Sequence, residues 1–95
     1  MEITQDGRGG NIVYRQTGSE LSTWWEFAAG DRVVVFIAVP TPGEWDRQVP
    51  WAVGRRAEIL ARVGSEAIRQ KASACSYEIG DRFIDILWPS VTNTL

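Results

Sequence analysis

The sequence predicts an α+β fold in which one long helix packs on one face of an antiparallel β-sheet. In residues 1–39, apolar stretches alternate with short turn sequences. Such short connections join antiparallel neighbours, because a parallel return needs a dozen or more residues. Apolar residues then recur at helical spacing between Pro50 and Lys71, and two further strand-like stretches follow. We therefore expect the chain order β-β-β-β-α-β-β and a sheet of about five or six strands.

Composition indicates one globular domain and disfavours two classes of partner. The chain has 95 residues, of which 44% are hydrophobic and 23% charged, with a net charge of −2. Nucleic-acid-binding proteins are usually basic, and the longest apolar run, Val33 to Pro40, is far shorter than the roughly 20 residues that span a bilayer. We expect a cytoplasmic protein that binds neither nucleic acid nor membrane, with residues 1–88 as the domain and residues 89–95 as a loose tail.

The residue types that most often carry catalysis are scarce. The absence of His excludes His-dependent triads and imidazole acid–base chemistry. The single cysteine, Cys75, excludes an internal disulfide, and without a neighbouring base we interpret it as a small apolar core residue. No segment resembles a calcium loop or a phosphate-binding loop. We expect no enzymatic activity, no metal and no cofactor.

Turn chemistry sets the boundaries of the first four strands. Asp6–Asn11, Thr17–Ser19 and Ala29–Asp31 combine Gly with Asp, Asn, Ser or Thr, the residues that favour turns. The strands expected beside them are Met1–Gln5, Ile12–Arg15, Glu20–Ala28 and Arg32–Val39.

The two-residue period of a strand assigns the side chains of Glu20–Ala28 to two faces. Leu21, Trp25 and Phe27 fall on the face expected to form the core. Trp24 falls on the opposite, otherwise polar face, which is unusual for an indole. We therefore regard Trp24 as a candidate binding residue.

The run Val33–Val39 is apolar on both faces, which is typical of a central strand covered on each side. One helix covers about one face, so the other face would expose a larger apolar patch than monomers usually show. A second copy of the chain or another protein would cover it, and we expect a homodimer as the simpler solution. The patch would contain Trp24 with parts of Val34, Phe36 and Ala38.

A capping sequence predicts where helical structure begins. Thr41, followed by Pro42 and by Glu44, fits an N-cap with Pro in the first turn and Glu three residues after the cap. We expect a short helical turn over Pro42–Gln48 and the main helix from about Pro50 to Lys71, with Gly64 at a close approach to the sheet. The predicted apolar stripe of the main helix contains Val53, Ala57, Leu60, Val63, Gly64, Ala67 and Ile68.

Two more strands, Ala74–Ile79 and Arg82–Trp88, are expected to form a hairpin through a type II′ turn at Gly80-Asp81. Alternation places Phe83 and Asp85 on one face of the second strand. Asp85 lies between two isoleucines, so it either pairs with an Arg or faces water. Glu44 and Asp46, or Asp81 and Asp85, could in principle form an acid–base pair, but Glu44 is expected in the helix cap and Asp81 in the turn, so we assign none of them an acid–base function.

The densest cluster of functional side chains surrounds the predicted start of the main helix. It consists of Trp45, Arg47, Trp51, Arg55 and Arg56. Cations near a helix N-terminus oppose the helix dipole, so they need either internal acidic partners or an external anion. Trp and Arg are also the residues most enriched at interaction hot spots.

Two functions from different classes follow. The favoured one is a protein-interaction or adaptor module without chemistry of its own, which acts through the uncovered sheet face and the Trp/Arg cluster. The alternative is a binder of a small anionic ligand, or a minor enzyme acting on one. In the alternative, Arg55 and Arg56 receive the anion between Trp45 and Trp51.

Overall fold

The computed structural model describes residues 1–89 and confirms the predicted α+β fold. Six antiparallel strands form one sheet, and one long helix connects the fourth strand to the fifth. The expected tail lies outside the described residues from residue 90 onward. The strands are β1 (Glu2–Asp6), β2 (Gly9–Gln16), β3 (Ser19–Phe27), β4 (Val33–Ala38), β5 (Ser76–Ile79) and β6 (Phe83–Leu87); the helices are α1 (Trp45–Gln48) and α2 (Arg56–Lys71), with a 3-10 turn at Pro50–Ala52 between them.

The sheet order is β1-β2-β3-β4-β6-β5, with every neighbouring pair antiparallel. The first four strands form the predicted meander. The final hairpin adds to it with β6 beside β4, so that β5 becomes one edge of the sheet and β1 the other. Helix α2 packs against β5 and β6.

One face of the sheet, here the inner face, forms the hydrophobic core with the helical segments. Trp25 lies in this core, as predicted, and its indole N–H donates to the Thr4 carbonyl at 3.0 Å. Phe27, predicted in the core, is 38% exposed at the end of β3. The buried inner-face residues are Ile12, Tyr14, Leu21, Trp25, Ile37, Ile84 and Ile86, and those from the helical segments are Trp45, Val49, Ala52, Ile59, Leu60, Val63 and Ala67.

Helix α2 begins at Arg56, later than the predicted Pro50. Gly54 separates the 3-10 turn from α2, because its φ of 73° is a left-handed conformation, which glycine adopts without strain. Val53 is consequently in a loop and 57% exposed, and Ala57 is also exposed, so the prediction that both belong to the buried stripe is wrong. Ile59 is buried in their place, and the stripe from Leu60 to Ala67 is confirmed.

Two turns differ from the sequence prediction. The predicted type II′ turn at Gly80-Asp81 is wrong, because Gly80 does not have the positive φ which that turn requires. Instead the Gly80 N–H donates to the Phe83 carbonyl at 2.8 Å. Strand β2 begins at Gly9, inside the predicted turn, because Gly10 belongs to the ladder. A Cβ on Gly10 would collide with the Thr4 backbone in β1.

A β-bulge alters the central strand. The register of β4 against β6 shifts between Val33 and Val35, so Val34 is the additional residue that a bulge inserts. Val34 lines a cavity beside inner-face residues. Its predicted place on the uncovered face beside Phe36 is therefore wrong.

The burial of α2 predicts unequal effects of two neighbouring substitutions. Leu60 is fully buried and Arg62 is exposed on the same helix. We expect Leu60→Ala to lower the free energy of unfolding by about 2–5 kcal/mol. Arg62→Ala should lower it by less than about 1 kcal/mol. Urea denaturation measures both, and comparable losses would contradict the assigned face.

The contact of α2 with β5 predicts that replacing a helical glycine by alanine lowers the stability of the protein. A Cβ on Gly64 would lie 2.7 Å from Cδ2 of Tyr77, whose ring packs against the core. In an open helix, Gly→Ala stabilises by up to about 1 kcal/mol. We expect Gly64→Ala to destabilise instead, by about 1–3 kcal/mol, because the ring must move.

Gly30→Ala is the matched control, since its added Cβ would meet no atom within 4 Å. Thermal unfolding of both variants is the measurement. A Gly64→Ala protein that is more stable than the wild type would show that helix and sheet are not in close contact there.

Candidate functional site

Three aromatic rings form a cluster on the face of the sheet opposite α2, here the outer face. The ring centroid of Trp24 lies 6.4 Å from that of Phe36 and 6.2 Å from that of Phe83. Phe36 and Phe83 are 5.2 Å apart, and all three pairs meet edge to face. This geometry is favourable for aromatic pairs. The cluster is a preformed apolar surface on three adjacent strands.

Strand register brings the three rings together. Trp25 pairs with Ile37, so Trp24 lies next to Ala38, and Ala38 in turn pairs with Phe83. The outer position of Trp24 was predicted from alternation alone, and the structure places it there, 44% exposed. Sequence reasoning missed Phe83 as a member of the cluster. Only the β4–β6 register reveals it.

Most of the charged residues on the outer face are acidic. Strand alternation and the register place Glu26, Phe36, Asp85 and Glu78 in one row across β3, β4, β6 and β5. Within the strands that the structure describes, Arg15 is the one basic residue on this face, and it pairs with Glu2 at 2.7 Å and Glu20 at 3.3 Å. The acidic residues of the outer face are Glu2, Asp6, Glu20, Glu26, Glu78 and Asp85.

Two carboxylates of that row flank the aromatic cluster without a cation. Glu26 and Asp85 both pair in register with Phe36, one from each side. Glu78, in contrast, accepts from Arg32 at 3.0 Å. Among residues 1–89, neither Glu26 nor Asp85 takes part in a salt bridge. The sequence left open whether Asp85 pairs with an Arg or faces water, and in the structure it is half-buried and unpaired within this part of the chain.

The tryptophans of the sequence-predicted Trp/Arg cluster face the interior. Trp45 is 1% exposed, and its indole N–H donates to the Ala52 carbonyl at 2.8 Å. Trp51 is half-buried and packs against the core. Trp45 therefore has no surface with which to contact a ligand.

The arginines of that cluster have internal partners. Arg56 donates to the carbonyl oxygens of Pro40 at 3.0 Å and of Gly80 and Asp81 at 2.9 Å each. It thereby joins the loop after β4 to the turn between β5 and β6. Three charge-assisted hydrogen bonds saturate much of one guanidinium group.

Arg55 and Arg47 pair with nearby carboxylates. Arg55 lies 2.7 Å from Glu58, and this hydrogen bond raises the pKa of Arg55 and lowers the pKa of Glu58. Arg47 is 74% exposed and lies 3.8 Å from Glu44. The structure thus distributes the three arginines over separate contacts instead of directing them at one point.

Glu44 is the N-cap residue of α1, which begins at Trp45 and not at the predicted Pro42, and α1 has no side-chain capping hydrogen bond, so the predicted N-cap at Thr41 is wrong. The Glu44 carboxylate accepts from the Thr41 hydroxyl at 2.9 Å and from the Thr41 N–H at 3.3 Å. These hydrogen bonds lower the pKa of Glu44. They tie the carboxylate to the backbone at the start of α1.

A concave surface lies on the inner face of the sheet, where α2 does not cover it. It has a volume of about 210 Å³ between β1, the bulge in β4 and the end of α2, and Lys71 lies at its margin. The bulge and the end of α2 create it; the sequence predicted the helix end at Lys71 but not the bulge. Its lining is largely apolar and includes Ile3, Trp25, Phe27, Val34, Val35 and Ala72.

Three other observations bear on function. Cys75 is a free, half-buried thiol that packs against the core, in agreement with a structural role. Within the described range 1–89, no three His, Cys, Asp or Glu side chains are grouped as metal ligands. No helix in that range is both long and apolar enough to cross a membrane.

The contacts of Arg56 predict a structural role for a residue that the sequence marks as a candidate ligand contact. We expect Arg56→Met to lower the free energy of unfolding by about 1–2 kcal/mol, because three carbonyl oxygens lose a charged donor. Arg47→Met, at an exposed and loose ion pair, should cost less than about 0.5 kcal/mol. Equal stabilities of the two variants in urea titrations would show that the carbonyl contacts contribute nothing.

Comparison of this chain with protein-family models, with curated proteins and with solved structures finds no match. Its function therefore has to be argued from its own surface, and the aromatic and acidic outer face is the site with the most distinctive chemistry.

Proposed function

We propose that this chain is a non-catalytic protein-interaction module of the cytoplasm that binds its partner through the outer face. The observation that carries the proposal is the aromatic cluster, in which Trp24 is 44% exposed beside Phe36 and Phe83. Exposed apolar patches bordered by polar residues mark interaction sites in soluble proteins. The free thiol of Cys75 is compatible with a reducing compartment.

The size of the outer face supports a protein as the ligand. The strands have four to nine residues each, and at about 3.3 Å per residue and about 4.8 Å between strands the sheet covers about 600 Å². This area is at the lower end of the roughly 600–1,000 Å² per partner of specific protein–protein interfaces. A small molecule would leave most of such a flat surface uncovered.

The composition of the cluster supports the same conclusion. Trp is the residue most enriched at interface hot spots, where it lies near the centre and is surrounded by less critical contacts. Trp24 occupies such a central place, because β3 lies inside the sheet with Asn11 opposite it in β2 and Ala38 beside it in β4. Rings already packed edge to face lose little side-chain entropy on binding.

The alternative, a binder of a small anion at the Trp/Arg cluster, has less support. It needs free guanidinium groups at Arg55 and Arg56, which instead bond Glu58 and three carbonyl oxygens. It also needs Trp45 at the surface, but Trp45 is buried. An anion would have to displace internal hydrogen bonds before it could bind.

Site-directed photo-cross-linking in the native cells tests the proposed interface. Ser22 is exposed on the outer face, two residues before Trp24 in β3, whereas Arg62 is exposed on α2. With p-benzoylphenylalanine at position 22, we expect a discrete cross-linked product that is absent with the same group at position 62. The mass of the product tells a second copy from a different protein.

The Trp24→Glu substitution is expected to abolish the position-22 product while the protein keeps its fold. A carboxylate in place of the indole would be forced into a dry contact, yet the side chain is exposed enough in the monomer to be solvated. Circular dichroism checks the fold. Equal products from positions 22 and 62, no product at either, or a position-22 product that survives Trp24→Glu would each overturn the proposed function.

A further inference from the structure

We infer that the outer face binds a basic partner, a protein segment that presents Arg or Lys next to apolar residues, and not a second copy of this chain. The inference rests on the proposed function and specifies the chemistry of its partner. It derives from the charge on the outer face, whereas the proposed function derives from the aromatic cluster.

Negative charge is concentrated on the outer face. The whole chain has a net charge of −2. Among residues 1–89, the outer face carries six acidic residues (Glu2, Asp6, Glu20, Glu26, Glu78 and Asp85) of the twelve in the sequence, and Arg15 and the neighbouring Arg32 are the basic residues that offset them. The remainder of the chain therefore has more basic than acidic residues. A surface field of one sign attracts partners of the opposite sign and repels those of the same sign.

The acidic groups stand where a bound cation would contact the aromatic cluster. Glu26 and Asp85 flank Phe36 on the two neighbouring strands, each about 5 Å away at the spacing of a sheet. A guanidinium group on the face of Trp24 or Phe36 would gain a cation–π contact. The same group would reach a flanking carboxylate for a charge-assisted hydrogen bond.

The half-buried position of Asp85 strengthens this argument. A carboxylate that is partly withdrawn from water gains more from a cation than a fully solvated one does. Among residues 1–89 the chain supplies no ion-pair partner for it, although Arg32 pairs with Glu78 in the same row. A basic side chain from a partner would complete the row.

The same charges disfavour a homodimer. A two-fold symmetric contact places the same patch on both sides of the interface. One acidic outer face would then meet another, and apposed like charges cost affinity. The aromatic cluster alone would favour self-association, and the carboxylates around it oppose that outcome.

Titration with defined peptides, followed by ¹⁵N–¹H NMR of the full chain, tests the inference. The probe is a synthetic peptide of alternating Arg and Leu, and the matched probe replaces each Arg with Glu. The chain has five tryptophans, and the indole N–H signal of Trp24, identified by its loss in Trp24→Phe, serves as the reporter. We expect the Arg–Leu peptide to shift Trp24 and the outer-face residues, more weakly as salt rises, and the Glu–Leu peptide to shift none of them.

Charge-matched variants distinguish the effect of the two local carboxylates on peptide affinity from the effect of the overall net charge. Glu26→Gln with Asp85→Asn should weaken binding of the Arg–Leu peptide about tenfold, because it removes two charge-assisted contacts. Ala57→Lys with Ser65→Lys changes the net charge equally on exposed positions of α2. We expect it to change the affinity less than about twofold.

Three results would overturn the inference but leave the proposed function standing. They are equal binding of the Glu–Leu peptide at Trp24, equal losses in the two double variants, and a wild-type chain that sediments as a dimer disrupted by Trp24→Glu. If no peptide shifts the outer face and position 22 gives no cross-linked product, the proposed function fails together with the inference.

Discussion

The architecture depends on the fact that one helix can cover only part of one face of a six-stranded sheet. Helix α2 has sixteen residues, about 24 Å in length and about 10 Å in diameter, and it packs against β5 and β6. Its approach is close because Gly64 lies against the Tyr77 ring. The segment from α1 to the 3-10 turn adds Trp45, Val49 and Ala52 to the core. Within the described part of the chain, the cavity at the bulge and the whole outer face remain uncovered, and these are the surfaces available for binding.

Much of the fold could be predicted because its determinants are local. Turn residues and short connections require antiparallel neighbours. Strand alternation alone places Trp24 and Trp25 on opposite faces of the sheet. The apolar stripe of α2 from Leu60 to Ala67 follows from helical periodicity. The same local information failed at the start of α2, because a left-handed Gly54 cannot be distinguished from a helical one by residue type.

The candidate site depended on contacts between residues distant in sequence, so only part of it could be predicted. The Trp/Arg cluster is dense along the chain, yet Arg56 bonds carbonyl oxygens of Pro40, Gly80 and Asp81 that come from two other loops. Phe83 joins the aromatic cluster only through the pairing of β6 with β4. Residue type indicates that an arginine or an aromatic ring needs a partner, and the register of distant strands decides which partner it gets.

The strand order has a consequence for how the molecule avoids uncontrolled assembly. The two edge strands, β1 and β5, hold the unsatisfied backbone groups at which sheets of different molecules join and aggregate. Strand β5 has only four residues and includes Glu78, and β1 begins with Glu2 and ends with Asp6. Short length and charge at the edge strands both discourage edge-to-edge pairing of sheets from different molecules into fibres. An exposed aromatic face can therefore persist in a crowded cell, since the route by which β-proteins most readily polymerise is blocked at both edges.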